Sequence, residues 1–149
     1  MAYDLALTGG RVIDPSQGID RHIDVAFENG KVAALGDGLT ATHTQDVSGQ
    51  IVTPGLIDMH THVYWGGTSL GVDADAYAHQ SAVTTCIDTG SAGPGNFPGF
   101  KAHVIEPAKI RILVYLNVSF AGIYAFSPTV IVGESRDMRL MAAREAVAV

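Results

Sequence analysis

The sequence predicts an α/β protein in two parts, a small β module over residues 1–53 and the opening βα units of a parallel sheet over residues 54–149. Three observations carry this prediction. The first fifty residues are short apolar or alternating runs broken by turn pairs, with no helical period; from Leu56 onward apolar strands alternate with helical stretches; and the change falls at Pro54-Gly55.

In the first part, residues 4–8 run into Gly9-Gly10, and residues 11–13 stop at Asp14-Pro15, a turn-prone pair. Residues 22–28 set Ile23, Val25 and Phe27 on one face. Asn29-Gly30 then precedes residues 31–35, a hairpin signal because both turn residues tolerate positive φ. Residues 45–48 and Ile51-Val52 read as another strand pair, and the module as a whole reads as antiparallel. In the second part, residues 56–63 form a strand, residues 73–82 a helix capped by Asp73, and residues 83–88 a second strand. A glycine-rich loop over 90–99 and a short helix around 100–105 follow. Residues 110–118 read as a strand buried on both faces, and residues 135–148 as a helix opened by Ser135, with Met138, Met141, Ala142 and Val147 inward. Strands alternating with helices imply right-handed βαβ units. The last helix meets Val149 with no glycine, asparagine or proline to close it, so the chain is expected to stop inside an element and to leave its sheet incomplete.

Composition narrows the function classes. With 47% apolar residues, 16% charged residues and nine basic against fifteen acidic side chains, the chain of 149 residues carries a net charge of −6. It is expected to be an ordered soluble protein, with no electrostatic basis for nucleic-acid or anionic-membrane partners. The single cysteine, Cys86, rules out an intrachain disulfide and a cysteine-only zinc site, and the start carries no secretory pattern, so a cytoplasmic setting is expected. Residues 112–133 carry no charge and are long enough to span a bilayer. They contain Asn117, Ser119, Ser127, Pro128 and Thr129, which favour buried strand plus loop.

The run Pro54-Gly-Leu-Ile-Asp58-Met-His60-Thr-His62-Val63 carries the chemistry. Side chains at i and i+2 share a strand face, so His60 and His62 project together, with Asp58 expected on the same side. Two imidazoles held by a rigid strand can bind one divalent cation. Zinc is the first choice, and manganese, iron and cobalt stay open. The pair falls at the carboxyl end of the first parallel strand, where α/β barrels assemble their active sites.

With its context, this run resembles the amidohydrolase superfamily, in which such a segment leaves a small β-sandwich and becomes the first strand of a metal-binding barrel. Leu7-Thr-Gly-Gly-Arg-Val-Ile-Asp14-Pro15 and Asp24-Val-Ala-Phe-Glu-Asn-Gly-Lys-Val-Ala-Ala-Leu-Gly36 resemble the sandwich strands of that family. The segments over 62–71, 83–93 and 116–122 are most similar to a dihydroorotase-like deacetylase branch. The resemblance implies a β-sandwich portion over 1–53, then over 54–149 the first three βα units of a (β/α)8 TIM-type barrel, truncated, since a whole barrel needs about 250 residues. It implies His60 and His62 as ligands in a site of one or two metal ions. It also implies hydrolysis of an amide, cyclic amide or acyl ester of a small polar molecule, deacetylation before dihydroorotase-like ring opening, and a homo-oligomeric full-length protein. The family's bridging lysine or acid, later histidines and general base match no position here, and Lys101 and Lys109 precede the third strand. The 149 residues alone are therefore expected to be inactive; the competing reading is a truncated, non-enzymatic remnant serving as a binding or assembly module.

Other residues carry two readings each. Asp58 either orients a ligand histidine or is a structural carboxylate; Asp88 either faces the site or caps the turn before Gly90; Asn117 and Ser119 could touch substrate. The N–H groups of Ser91-Ala-Gly-Pro-Gly-Asn96 could face an oxyanion or simply make a turn. Cys86 reads as a small buried residue, and His22, His43, His79 and His103 as surface or packing histidines.

Overall fold

In the computed structural model, which describes residues 2–123 and 143–149, the chain divides into the units Met1–Pro54 and Gly55–Val149. The first unit holds β1 (Tyr3–Thr8), β2 (Arg11–Asp14), β3 (Ile19–His22), β4 (Asp24–Glu28), β5 (Lys31–Gly36), β6 (Ala41–Asp46) and β7 (Ile51–Val52). They form two sheets, in the orders β5-β4-β1-β6 and β3-β2-β7. Asn29 and Gly30 both take positive φ, 53° and 72°, which asparagine tolerates and glycine adopts freely for want of a Cβ, and they close the β4–β5 hairpin. Val12, Ile23 and Val25 form the core that the two sheets share, with Phe27, Leu35 and Val52 packed on it.

Two expectations for this unit need correction. Residues 45–48 and 51–52 do not pair with each other: β6 runs parallel beside β1, and β7 runs parallel beside β2, so the module is mixed rather than antiparallel. The separating device is local, because Asp46 Oδ1 accepts the Ser48 N–H at 2.8 Å and Gly49 turns at φ 78°, sending the chain from one sheet to the other. Likewise, the strand expected over 22–28 is two strands interrupted at Ile23, whose N–H donates to Gly10 O at 3.4 Å.

The second unit holds β8 (Leu56–Thr61), α1 (Ala74–Ser81), β9 (Val83–Thr89), α2 (Phe97–Phe100), β10 (Arg111–Tyr115) and α3 (Ala143–Ala148). The three strands form a parallel sheet in the order β10-β9-β8. Asp73 caps α1 by accepting the Ala76 N–H at 2.9 Å. The short helix expected near 100–105 begins earlier, with Pro98 in its first turn, and runs straight on into a π-helical turn over Lys101–Ile105. Val63, Ala74, Val83, Cys86, Ala92, Phe100 and Ile112 form the core beneath the helices, with Tyr77 and Val114 packed on it. Residues 110–118 are not buried on both faces: Ile112 lies in that core, whereas Leu113 and Tyr115 on the alternate face are exposed at 40% and 63%. Of the expected last helix, Ser135, Met138, Met141 and Ala142 lie outside the described residues. Val147, expected inward, is exposed in α3 because no described element covers it. No helix among the described residues is long and apolar enough to cross a membrane.

Candidate metal centre

The end of β8 is shaped by one extra residue. Asp58 pairs with Cys86 and Thr61 with Asp88, so three steps on β8 match two on β9. That is a bulge, and its cause is visible: Asp58 Oδ1 accepts the His60 N–H at 3.0 Å, taking that group away from the ladder. Because Cys86 and Asp88 share a face, their partners Asp58 and Thr61 also share it, and it is the helix-covered face. The bulge therefore corrects the expectation that Asp58 sits beside the histidines. Its other oxygen accepts from the Tyr77 hydroxyl of α1 at 2.6 Å. That bond, then the His60 N–H, holds the Asp58 carboxyl below the usual carboxylate range.

His60 and His62 share the opposite face, with ring centroids 5.6 Å apart and planes at 72°. His60 is exposed and His62 half-buried. Val63, next in sequence, is fully buried and turns the chain away from the strand, while Val72 N–H returns to His62 O at 3.0 Å. His62 Nδ1 lies 3.0 Å from Ser91 Oγ, so one ring nitrogen is engaged by protein. Ser91 is held in turn by Asp88, whose Oδ1 accepts the Ser91 N–H at 2.8 Å and whose Oδ2 accepts the Val63 N–H at 2.8 Å. Asp88 and Ser91 are both wholly buried, and one carboxylate thus ties the end of β8 to the loop after β9.

The two rings suit a borderline divalent cation as two of its ligands. Among the described residues no group of three or more histidine, cysteine, aspartate or glutamate side chains is placed to hold one. The pair fits part of a metal site and not a whole one.

The remaining candidates are placed elsewhere. Asn117 is taken up by the backbone, accepting from Ser119 N–H at 2.9 Å and donating to Gly90 O at 3.3 Å. In the glycine-rich loop the N–H groups of Ser91, Gly93, Gly95 and Asn96 all find protein acceptors, the last two Phe120 O and Gly93 O, so these donors are spent within the fold. Cys86 is buried, and burial pushes its thiol up. His22, His43, His79 and His103 are exposed, as are Lys101 and Lys109 ahead of β10. A cleft of about 460 Å³ lies under the helical side, lined by Tyr64, Trp65, Asp73 and His103 among others, and includes neither His60 nor His62. Sequence reasoning passed over Tyr77 and the side chain of Ser91. Asp88-Thr-Gly-Ser91 is a turn spacing that signals the second, whereas nothing in the helix sequence signals that Tyr77 meets Asp58.

The second unit is thus an α/β sheet with a histidine pair at the carboxyl end of its first strand, and it follows a two-sheet β module in the sequence. Over 114 residues the chain is 38% identical to a deacetylase of Agrobacterium fabrum, covering 74% of this chain and 27% of that protein. Over 119 residues it is 41% identical to a dihydroorotase of Citrifermentans bemidjiense, covering 74% of this chain and 28% of that one. A dihydroorotase crystal structure superposes with a TM-score of 0.81 at 28% identity, over 97% of this chain and 38% of its own. No family model matches. In sequence and fold, the chain matches the N-terminal portion of dihydroorotase-like members of the amidohydrolase superfamily, and it spans little more than a quarter of the curated relatives named.

Proposed function

We propose that residues 1–53 supply a β-sandwich portion and residues 54–149 the first three βα units of a (β/α)8 barrel in a metal-dependent hydrolase. Its substrates are small polar molecules carrying an amide, cyclic amide or acyl ester, with deacetylation the first reading. The observation that carries this is the His60–His62 pair, side by side on one strand face, with His60 in the bulge and His62 just after it. His60 and His62 would hold a divalent cation, zinc first, and such a cation brings bound water to near-neutral pKa and polarises a carbonyl. Asp58 and Asp88 act behind the pair, on backbone groups beside it. Ile57, Met59, Leu113 and Tyr115 stand exposed on the sheet strands, which supports a sheet continued by further strands that bring the remaining ligands and a general base. On this reading the 149 residues alone are inactive, and the full-length enzyme is a cytoplasmic homo-oligomer. Dihydroorotase-like ring opening is the second reading, favoured by the superposition above.

The test uses the full-length protein loaded with zinc and assayed against N-acetyl amino acids, acetyl esters and dihydroorotate. Metal-dependent turnover of one class is expected, lost with metal in the His60→Ala/His62→Ala double variant. Unchanged metal stoichiometry in that variant would overturn the ligand assignment, and enzyme-like turnover by residues 1–149 alone would overturn the division of the site.

A further inference from the structure

We infer that Ser91 is a positioning residue for His62: its Oγ accepts a hydrogen bond from the ring's Nδ1–H, which keeps the proton on Nδ1 and leaves Nε2 as the nitrogen that binds metal. The inference rests on the proposed ligand role of His62 and adds the group that selects which of its two nitrogens is used.

A neutral imidazole carries one proton, and its partner at one nitrogen fixes what the other can do. The Nδ1–Oγ separation of 3.0 Å is a hydrogen bond whichever group donates. Were the hydroxyl the donor, Nδ1 would be occupied and Nε2 protonated, and the ring would have no lone pair for a cation. With Nδ1–H as donor, Nε2 is free on the face shared with His60. The surroundings are built to hold this contact. Ser91 is wholly buried, and its backbone is fixed by Asp88, which also fixes Val63, the residue after His62. The path His62–Val63–Asp88–Ser91 and back to His62 is a closed ring of one covalent link and three hydrogen bonds, so serine and imidazole cannot drift apart independently. Gly90, at φ 95°, provides the turn that brings Ser91 back over the strand end.

The experiment compares the full-length parent with Ser91→Ala, Ser91→Thr and His62→Ala. It reads Zn²⁺ affinity by competition with a chromophoric chelator, and the ring ¹⁵N shifts of His62 in the metal-free protein. Ser91→Ala deletes one oxygen and keeps the N–H that Asp88 holds. It is expected to lower Zn²⁺ affinity by about tenfold or more at unchanged stoichiometry and to move the His62 ring from the Nδ1–H form towards the other tautomer. Ser91→Thr, which keeps the hydroxyl, retains the parent's ring signature. If His62→Ala loses zinc while Ser91→Ala keeps both the parent affinity and the parent ring shifts, the Ser91 inference falls alone. If His62→Ala binds zinc as the parent does, the ligand reading falls and takes this inference with it.

Discussion

Tyr77 and Asp58 meet across the helix–sheet interface, the hydroxyl of α1 donating to the carboxylate of β8 at 2.6 Å. The same carboxylate holds the His60 N–H, so a residue on a helix steadies the backbone of a candidate ligand on the opposite face of a strand. Tyr77→Phe removes the donor and little else. Hydrogen exchange at the His60 amide is expected to quicken by roughly tenfold, the scale of one net hydrogen bond, with a lower thermal midpoint. An unchanged exchange rate would mean that Asp58 holds the bulge without help.

Gly93 is hemmed in by backbone. A Cβ there would meet Ser119 O and lie 2.8 Å from Gly122 N, and neither can swing aside as a side chain would. Gly93→Ala is therefore expected to destabilise the protein by about 1–3 kcal/mol, measured by urea unfolding of the two proteins side by side. Gly18, with open space around its Cβ position, differs: it takes φ 66°, so its replacement by alanine reports backbone strain alone.

Acid stability should report Asp14. The Ser16 hydroxyl and the Gln17 amide hold its carboxyl below the usual carboxylate range. Since the folded pKa lies under the unfolded one, this contribution is complete above the ordinary carboxylate pKa and disappears as pH falls through the lowered folded value. In Asp14→Asn, the thermal midpoint should lie below the parent's near neutrality and fall less steeply on acidification. Parallel curves would refute the assignment.

Cys86 should be silent to thiol reagents in the native protein. It is buried in the core under α1, and desolvation pushes its thiol up, so little thiolate exists to react. Iodoacetamide labelling followed by mass spectrometry is expected only after denaturation; labelling of the native protein at the rate of a free thiol would show that the core opens.

Much of this was legible in the chain itself, for identifiable reasons. Asn29-Gly30 reads as a hairpin because its conformation is fixed by the two residues alone, and Asp73 reads as a cap because its partner is three residues away. The side of the strand on which Asp58 lies was not legible. A strand period of two assumes a regular ladder, and the hydrogen bond from His60 N–H to Asp58 breaks it. The pairing of β6 and β7 was hidden for a similar reason, since parallel partners lie far apart in sequence and a short strand looks the same whichever neighbour it joins. The histidine pair itself was plain, while the ring of bonds from His62 through Asp88 and Ser91 depends on contacts between distant segments.

The parallel pairing in the first unit bears on how it is made at the ribosome. Tyr3 pairs with Ala41 and Arg11 with Ile51, so both of the earliest strands wait for the latest ones of that unit before their hydrogen bonds are filled. The β4–β5 hairpin, closed by its two-residue turn, can form while the rest is still emerging. Vectorial synthesis thus leaves one edge of β1 open until β6 has emerged and one edge of β2 open until β7 has, although β4 and β3 can fill the other edges earlier, and a slowed translation step over residues 41–52 would lengthen exposure of those edges to misassembly with other nascent chains.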